Sequence, residues 1–100
     1  MRIDFDWDPS KAASNAAKHG VTFEEAMMVF RDPLARSILD RDHGSEGERW
    51  VTLGETPAGN LLVVVHTWTE LDPDRYTVRI ISARRPTPSE ARQYRDEPIP

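Results

Sequence analysis

The chain has 100 residues, 38% hydrophobic and 30% charged, with a formal net charge of −4 and no cysteine. That length predicts one domain with a small core, and the cysteine count excludes a disulfide framework and thiolate chemistry. The longest apolar run, Leu61 to Val65, has the length of a buried strand rather than a membrane span, and the acidic balance argues against sequence-independent binding to duplex DNA.

Ile3, Phe5 and Trp7 alternate with Asp4, Asp6 and Asp8, the period of a half-buried strand. Asp8-Pro9 reads as an N-cap with proline at the first helical position, opening an alanine-rich helix that stops at His19-Gly20. Thr22-Phe23-Glu24-Glu25 is a capping box, and its helix sets Phe23, Ala26, Met27 and Phe30 on one stripe until Asp32-Pro33 ends it. Leu34 to Leu39 is a predicted strand, followed by a polar loop from Asp40 to Gly47. Arg49 to Gly54 and Leu61 to Trp68 are strands joined by a hairpin turn at Thr56-Pro57-Ala58-Gly59-Asn60. Glu70 to Asp74 is a further turn, and Tyr76 to Arg84 is the next strand. Thr87-Pro88-Ser89-Glu90 caps a last short helix through Tyr94, and the tail from Glu97 to Pro100 is expected to fray. Two helices, an antiparallel meander and a closing helix predict an α+β fold. Met1-Arg2-Ile3-Asp4 lacks the apolar core of a secretory signal, which suits a cytoplasmic protein.

Charge is unevenly placed. Between Arg75 and Arg95 six arginines face one carboxylate, Glu90. Guanidinium forks match phosphate oxygens, so this cationic strand is the expected seat of a phosphate-bearing ligand; the competing reading is a solvated strand face that keeps an edge soluble. Strand parity sets Arg79, Ile81, Ala83 and Arg85 on one face and Val78, Ile80, Ser82 and Arg84 on the other. Unless a bulge intervenes, a regular strand therefore cannot aim Arg79 and Arg84 at one phosphate: either the strand ends near Ser82-Ala83 or one of the two arginines is structural. The first option is the expectation here, with Arg84 outside the ladder.

The chain has three histidines. His19 sits in a helix-ending Lys-His-Gly, where a partial positive charge suits the dipole. His66 lies late in the central strand and shares the parity of Leu62 and Val64; it reads equally as a satisfied buried histidine or a catalytic one. His43 lies in the polar loop, with Glu46 and Glu48 near in sequence, and is equally open between the two. Glu48-Arg49 reads either as part of a surface ion pair or as a proton acceptor beside a cation. No helical histidine pair or glycine-rich phosphate loop is present, and no metal or cofactor is expected.

Several of these pieces fall in one ordered set: Phe5-x-Trp7-Asp8-Pro9-x-Lys11, Asn15, Lys18-His19-Gly20-Val21-x-Phe23-x-Glu25-Ala26, Phe30-x-Asp32-Pro33, Asp42-His43 with Glu48-Arg49, and Arg79-Ile80-Ile81-Ser82-Ala83-Arg84. The set spans Phe5 to about Tyr94 and resembles the BrnT family, the ribonuclease halves of bacterial type II toxin–antitoxin pairs. The resemblance implies a RelE-like fold, with N-terminal helices on an antiparallel sheet and a C-terminal helix. It also implies a BrnA-type antitoxin partner, complexes of two toxins with two antitoxins, and operator DNA contacted only through the antitoxin. Family members often carry an arginine two residues after the threonine of the central strand, where this chain has Thr69; Arg75 is a candidate replacement.

RNA cleavage without a metal needs a base for the 2′-hydroxyl, an acid for the leaving 5′-oxygen, and cations for the charged transition state. For an RNA substrate the candidate catalytic residues are Arg79, Arg84, His66, His43 and Glu48, and the candidate RNA contacts are Thr67, Arg49, Ser82 and Arg85. The rival reading is a non-catalytic module that only binds an antitoxin.

Overall fold

The computed structural model describes residues 1–40 and 48–96. Ten short elements follow the chain: β1 (Arg2–Asp6), α1 (Pro9–His19), α2 (Phe23–Met27), a 3-10 turn (Met28–Arg31), β2 (Arg36–Asp40), β3 (Arg49–Glu55), β4 (Leu61–Thr67), β5 (Thr69–Asp72), β6 (Arg75–Arg84) and α3 (Pro88–Asp96). The predicted polar loop from 41 to 47 and the predicted frayed tail from 97 to 100 lie outside the described residues.

Local capping chemistry fixes the helix starts. Asp8 accepts from the Ser10 amide at 2.8 Å with Pro9 at the first helical position, and Gly20 closes α1 in the left-handed region at φ 69°. Thr22 Oγ1 accepts from the Glu25 amide at 3.0 Å to open α2. Thr87 and Glu90 bond reciprocally at the start of α3, at 2.8 and 3.2 Å. The second helix is shorter than its apolar stripe predicts, tightening into the 3-10 turn after Met27. The strand expected from Leu34 begins only at Arg36, because Asp32 draws the Leu34 amide into a local turn at 2.9 Å.

The sheet has six strands in the order β1-β6-β4-β3-β2, with β5 also pairing β6. Two features correct the predicted antiparallel meander. β1 pairs with β6 in parallel, from Arg2 opposite Arg75 to Asp6 opposite Arg79, so the last strand fills the slot between the first strand and the rest. Residues 69–72, expected as a turn, form β5 antiparallel to β6. Period-2 patterning marks which face a strand buries, but it carries no information about the direction of its neighbour.

Val21, Phe23, Ala26 and Val29 from the helical segment pack on Leu62 and Val64 of β4 and on Val78, Ile80 and Ala83 of β6, all essentially inaccessible. Each large member contributes roughly 1.5–3 kcal/mol by leaving water. Gly54 lets the 3-10 turn settle onto β3: a Cβ there would stand 3.1 Å from Val29 Cβ and 3.2 Å from the Val29 carbonyl oxygen.

Two buried or half-buried polar side chains join distant elements. Asn15 on α1 donates through Nδ2 to the Val21 and Ala83 carbonyls at 3.0 and 2.8 Å, and accepts from the Ala83 amide at 3.0 Å. Asp32 accepts from the Leu34 amide, from the Glu55 amide at 2.8 Å, and from the Tyr94 hydroxyl, tying α3 to β3 and the 3-10 turn. Burial opposes the Asp32 charge, but those three donors outweigh it and hold its carboxyl below the usual range. Tyr94 is pushed up to about 12, by burial first and then by its bond to Asp32.

Candidate functional site

The ladder between β4 and β6 contains the irregularity that decides where the arginines point. Val65 pairs with Ser82 but His66 pairs with Ile80, so Ile81 is an extra residue on β6. Before this bulge Val78 and Ile80 are buried against the helices, and after it Ala83 is. The extra residue flips the parity of everything beyond it. Arg79, Ser82 and Arg84 therefore share the face opposite α1 and α2, and α3 lies on its Arg84 end, through Glu90 to Arg84 and Arg95 to Glu55. Arg84 is also inside the ladder, opposite Val63, which corrects the expectation that the strand ends near Ser82-Ala83.

Register carries that face across the sheet, because directly paired residues point the same way. Asp40 pairs with Arg49, and Arg49 with Thr67. Thr67 Oγ1 accepts from the Arg79 amide at 3.1 Å, and Arg79 Nη1 donates to Asp6 Oδ2 at 3.1 Å. The result is one row over five strands: Asp40, Arg49, Thr67, Arg79, Asp6. Arg84 stands on a parallel row about 13 Å along the strands, four residues at the usual rise. Arg75 shares the parity of Arg79 and pairs with Asp72 at 3.7 Å, while Thr69 is exposed in β5 opposite Thr77.

Each of the two central arginines is held by a carboxylate. Arg84 makes a two-pronged bond to Glu90 at 2.8 and 3.0 Å, and its Nη1 also donates to the Arg85 carbonyl at 3.2 Å. The hydrogen bonds from Arg84 are the first cause that brings Glu90 down to about 2, and Glu90 in turn raises Arg84. The Arg79–Asp6 pair is looser, with side chains 51% and 62% exposed, so it is worth under about 1 kcal/mol. Arg85 is exposed just past the strand, and Glu48 is exposed just before β3.

His66 is not part of this face. It points to the helix side, is 2% exposed, and packs edge-on against Phe30 at 4.8 Å. Its Nδ1 lies 2.8 Å from the Thr67 carbonyl oxygen, which can only accept, so Nδ1 carries the proton. Nε2 then accepts from Thr52 Oγ1 at 2.6 Å, and Thr52 accepts from Ser37 at 2.7 Å. Burial, the larger cause, lowers the His66 pKa against the opposing Thr67 bond, so the ring is neutral. Beside it lies a largely apolar pocket of about 320 Å³ walled by Phe30, Trp50 and Trp68. The pocket was missed from sequence. The signal that could have found it is Thr52, a hydroxyl on the buried side of a strand two residues from Trp50.

The structure thus brings Arg79, Arg84, Ser82, Thr67 and Arg49 onto one face and sets His66 on the other, while His43 lies outside the described residues. Among the described residues no group of three or more acidic or histidine side chains is arranged to hold a metal, and no helix is long and apolar enough to cross a membrane.

The geometry defines a class: a small α+β protein with a six-stranded sheet, three helices and a guanidinium-bearing sheet face. Residues 7–90 match the family described as "Ribonuclease toxin, BrnT, of type II toxin-antitoxin system". The chain therefore belongs to the BrnT family. Among solved structures it is similar to the Brucella abortus ribonuclease toxin BrnT, with a TM-score of 0.60, 19% identity, and coverage of 87% of this chain and 99% of that one. At that identity the likeness speaks for the fold. No curated protein matches the chain.

Proposed function

We propose that this chain is the toxin of a type II toxin–antitoxin pair and an endoribonuclease that needs no metal. The observation that carries the reading is the shared face of Arg49, Thr67, Arg79, Ser82 and Arg84, which the β6 bulge creates. RNA laid across it meets cations on two rows. Arg79 and Arg84, about 13 Å apart by strand rise, then contact different phosphates of one strand. Arg79 is the better placed to stabilise the scissile phosphate, since the carboxylate it pairs with, Asp6, is exposed. Glu48, with His43 in the same connection, is the proposed source of proton transfer next to Arg49. His66 has a supporting part only: neutral and buried, it fixes the strand end that carries Thr67. Ser82, Arg85 and Thr67 hold the chain of phosphates rather than the reacting atoms. Thr69 in place of arginine leaves Arg79 as the principal charge stabiliser.

The partner in this reading is a BrnA-type antitoxin, in a complex of two toxins and two antitoxins, with operator DNA reached only through the antitoxin. The fold is read as RelE-like and the chain as a single cytoplasmic domain.

Purified chain, free of antitoxin, is expected to cleave RNA in the presence of a chelator. Arg79→Ala is expected to lower the rate about 10²–10³-fold, the size of one lost charge stabiliser. Intact RNA at micromolar protein would refute the reading. A second reading, a non-catalytic antitoxin-binding module, is favoured by the pairing of Arg79 with Asp6 and Arg84 with Glu90. Growth arrest on expression, abolished by Arg79→Ala with folding kept, separates the two.

A further inference from the structure

The sequence set of Lys11, Asn15, Lys18 and His19 is only partly explained by the fold. Asn15 is the clamp on Ala83 and Lys18 suits the dipole at the end of α1, but neither lysine is paired with another side chain among the described residues. Lys11, Ser14, Asn15 and Lys18 are spaced i, i+3, i+4 and i+7, so they form one stripe of α1. That stripe faces a stretch of β6 with no strand on its outer side, because β1 pairs with β6 only as far as Arg79. Between them is an open cleft of about 240 Å³, lined by Lys11, Ser14, Asn15, Lys18 and His19 of α1 and by Ile81 and Ser82 of β6.

Three properties of the cleft point to a polyanion. Among the described residues no carboxylate lines it, in a chain whose net charge is −4. Neither lysine has an ion-pair or hydrogen-bond partner among the described residues, in contrast to Arg79 and Arg84, which both do. Lys11 and Lys18 are exposed and stand about 10 Å apart along the helix, seven residues at the usual rise, too far for one phosphate and suited to two. Ser82 belongs both to this cleft and to the row between Arg79 and Arg84, so the cleft continues the cationic face around the free edge of β6.

We infer that the cleft between α1 and the β6 bulge is a second phosphate-binding site, which holds the backbone of the RNA strand outside the cleaved step through Lys11 and Lys18. This rests on the ribonuclease reading for the identity of the ligand, but not for the binding measured. An RNA backbone is the expected occupant because the two cations of the cleft are exposed and stand at a spacing that suits two phosphates of one strand.

The test is anisotropy of a fluorescent, 2′-O-methyl single-stranded RNA, which binds but cannot be cleaved, titrated with the full chain over a range of salt. Lys11→Ala/Lys18→Ala is expected to flatten the slope of log K against log salt by about 1.4, two phosphates at about 0.7 each, while Lys11→Arg/Lys18→Arg keeps it. Cleavage by the alanine variant at saturating RNA keeps its kcat and raises KM. An unchanged salt slope, loss of kcat alone, or no binding of the RNA by the unmodified chain would overturn the site. So would a polyglutamate peptide of equal charge that binds as tightly as the RNA and depends equally on the two lysines. If the chain binds this RNA through the lysines but cleaves no RNA at all, the ribonuclease reading fails and the phosphate site stands.

Discussion

The two faces of the sheet are built on different terms. On the side of α1 and α2 the polar side chains that enter are met with one exception among the described residues: His66 by Thr52 and the Thr67 carbonyl, Thr52 by Ser37, and Asn15 by Val21 and Ala83, while the buried Trp50 Nε1 has no partner. On the opposite side the arginines are held by exposed or half-exposed carboxylates, in contacts that water and salt weaken. The same residue type thus has a different value on each side. A buried polar group left unpaired costs its full desolvation, whereas an exposed ion pair is exchanged at little cost. The difference teaches that the side of α1 and α2 holds most of the core, and that the opposite side, although it buries Leu61 and Val63, carries in Arg79–Asp6 an exposed pair that can be exchanged for a ligand.

The sharpest break of that contrast is at Phe23, fully buried against the sheet. Phe23→Ala is expected to lose about 3–5 kcal/mol in denaturant unfolding, while Arg79→Ala stays within about 0.5 kcal/mol of the parent. Equal losses would mean that the cationic face is part of the structural framework. Next in size is Asn15→Ala, which strands the Ala83 amide and two carbonyls. It should cost about 2–3 kcal/mol in denaturant unfolding.

The smallest effects are in pH. His66 is held below its ordinary value of 6.5 by burial, so the folded state takes up its proton later than the unfolded chain. Its contribution is complete above about 6.5 and is lost as the pH falls through the lower folded value. Glu90 runs the same way in a lower window: complete above 4.5 and lost toward about 2, the folded value. Because Arg84 and Glu90 are partly exposed, that second loss should stay under about 1 kcal/mol. Urea midpoints from pH 7 to 3 for the parent and Glu90→Gln check both, and a variant that keeps the parent's slope below pH 4.5 would remove Glu90 as the cause.

Helix starts and stops were legible in the chain because they are local chemistry: Asp8-Pro9, Thr22 with Glu25, Thr87 with Glu90, and Gly20 each act within a few residues. The apolar strands were legible for the same reason, and the ordered set from Phe5 to Arg84 pointed to the family that residues 7–90 match. Pairing was not legible. The parallel docking of β1 on β6 and the extra residue at Ile81 follow from contacts between segments some seventy and fifteen positions apart, for which alternation along one strand holds no record. The candidate site divides along the same line. That arginines gather after Arg75 is a matter of composition. That Arg79 and Arg84 look out from one side, while His66 looks inward to Thr52, depends on a single inserted residue, since each added position in a strand turns the side chains beyond it through half a revolution.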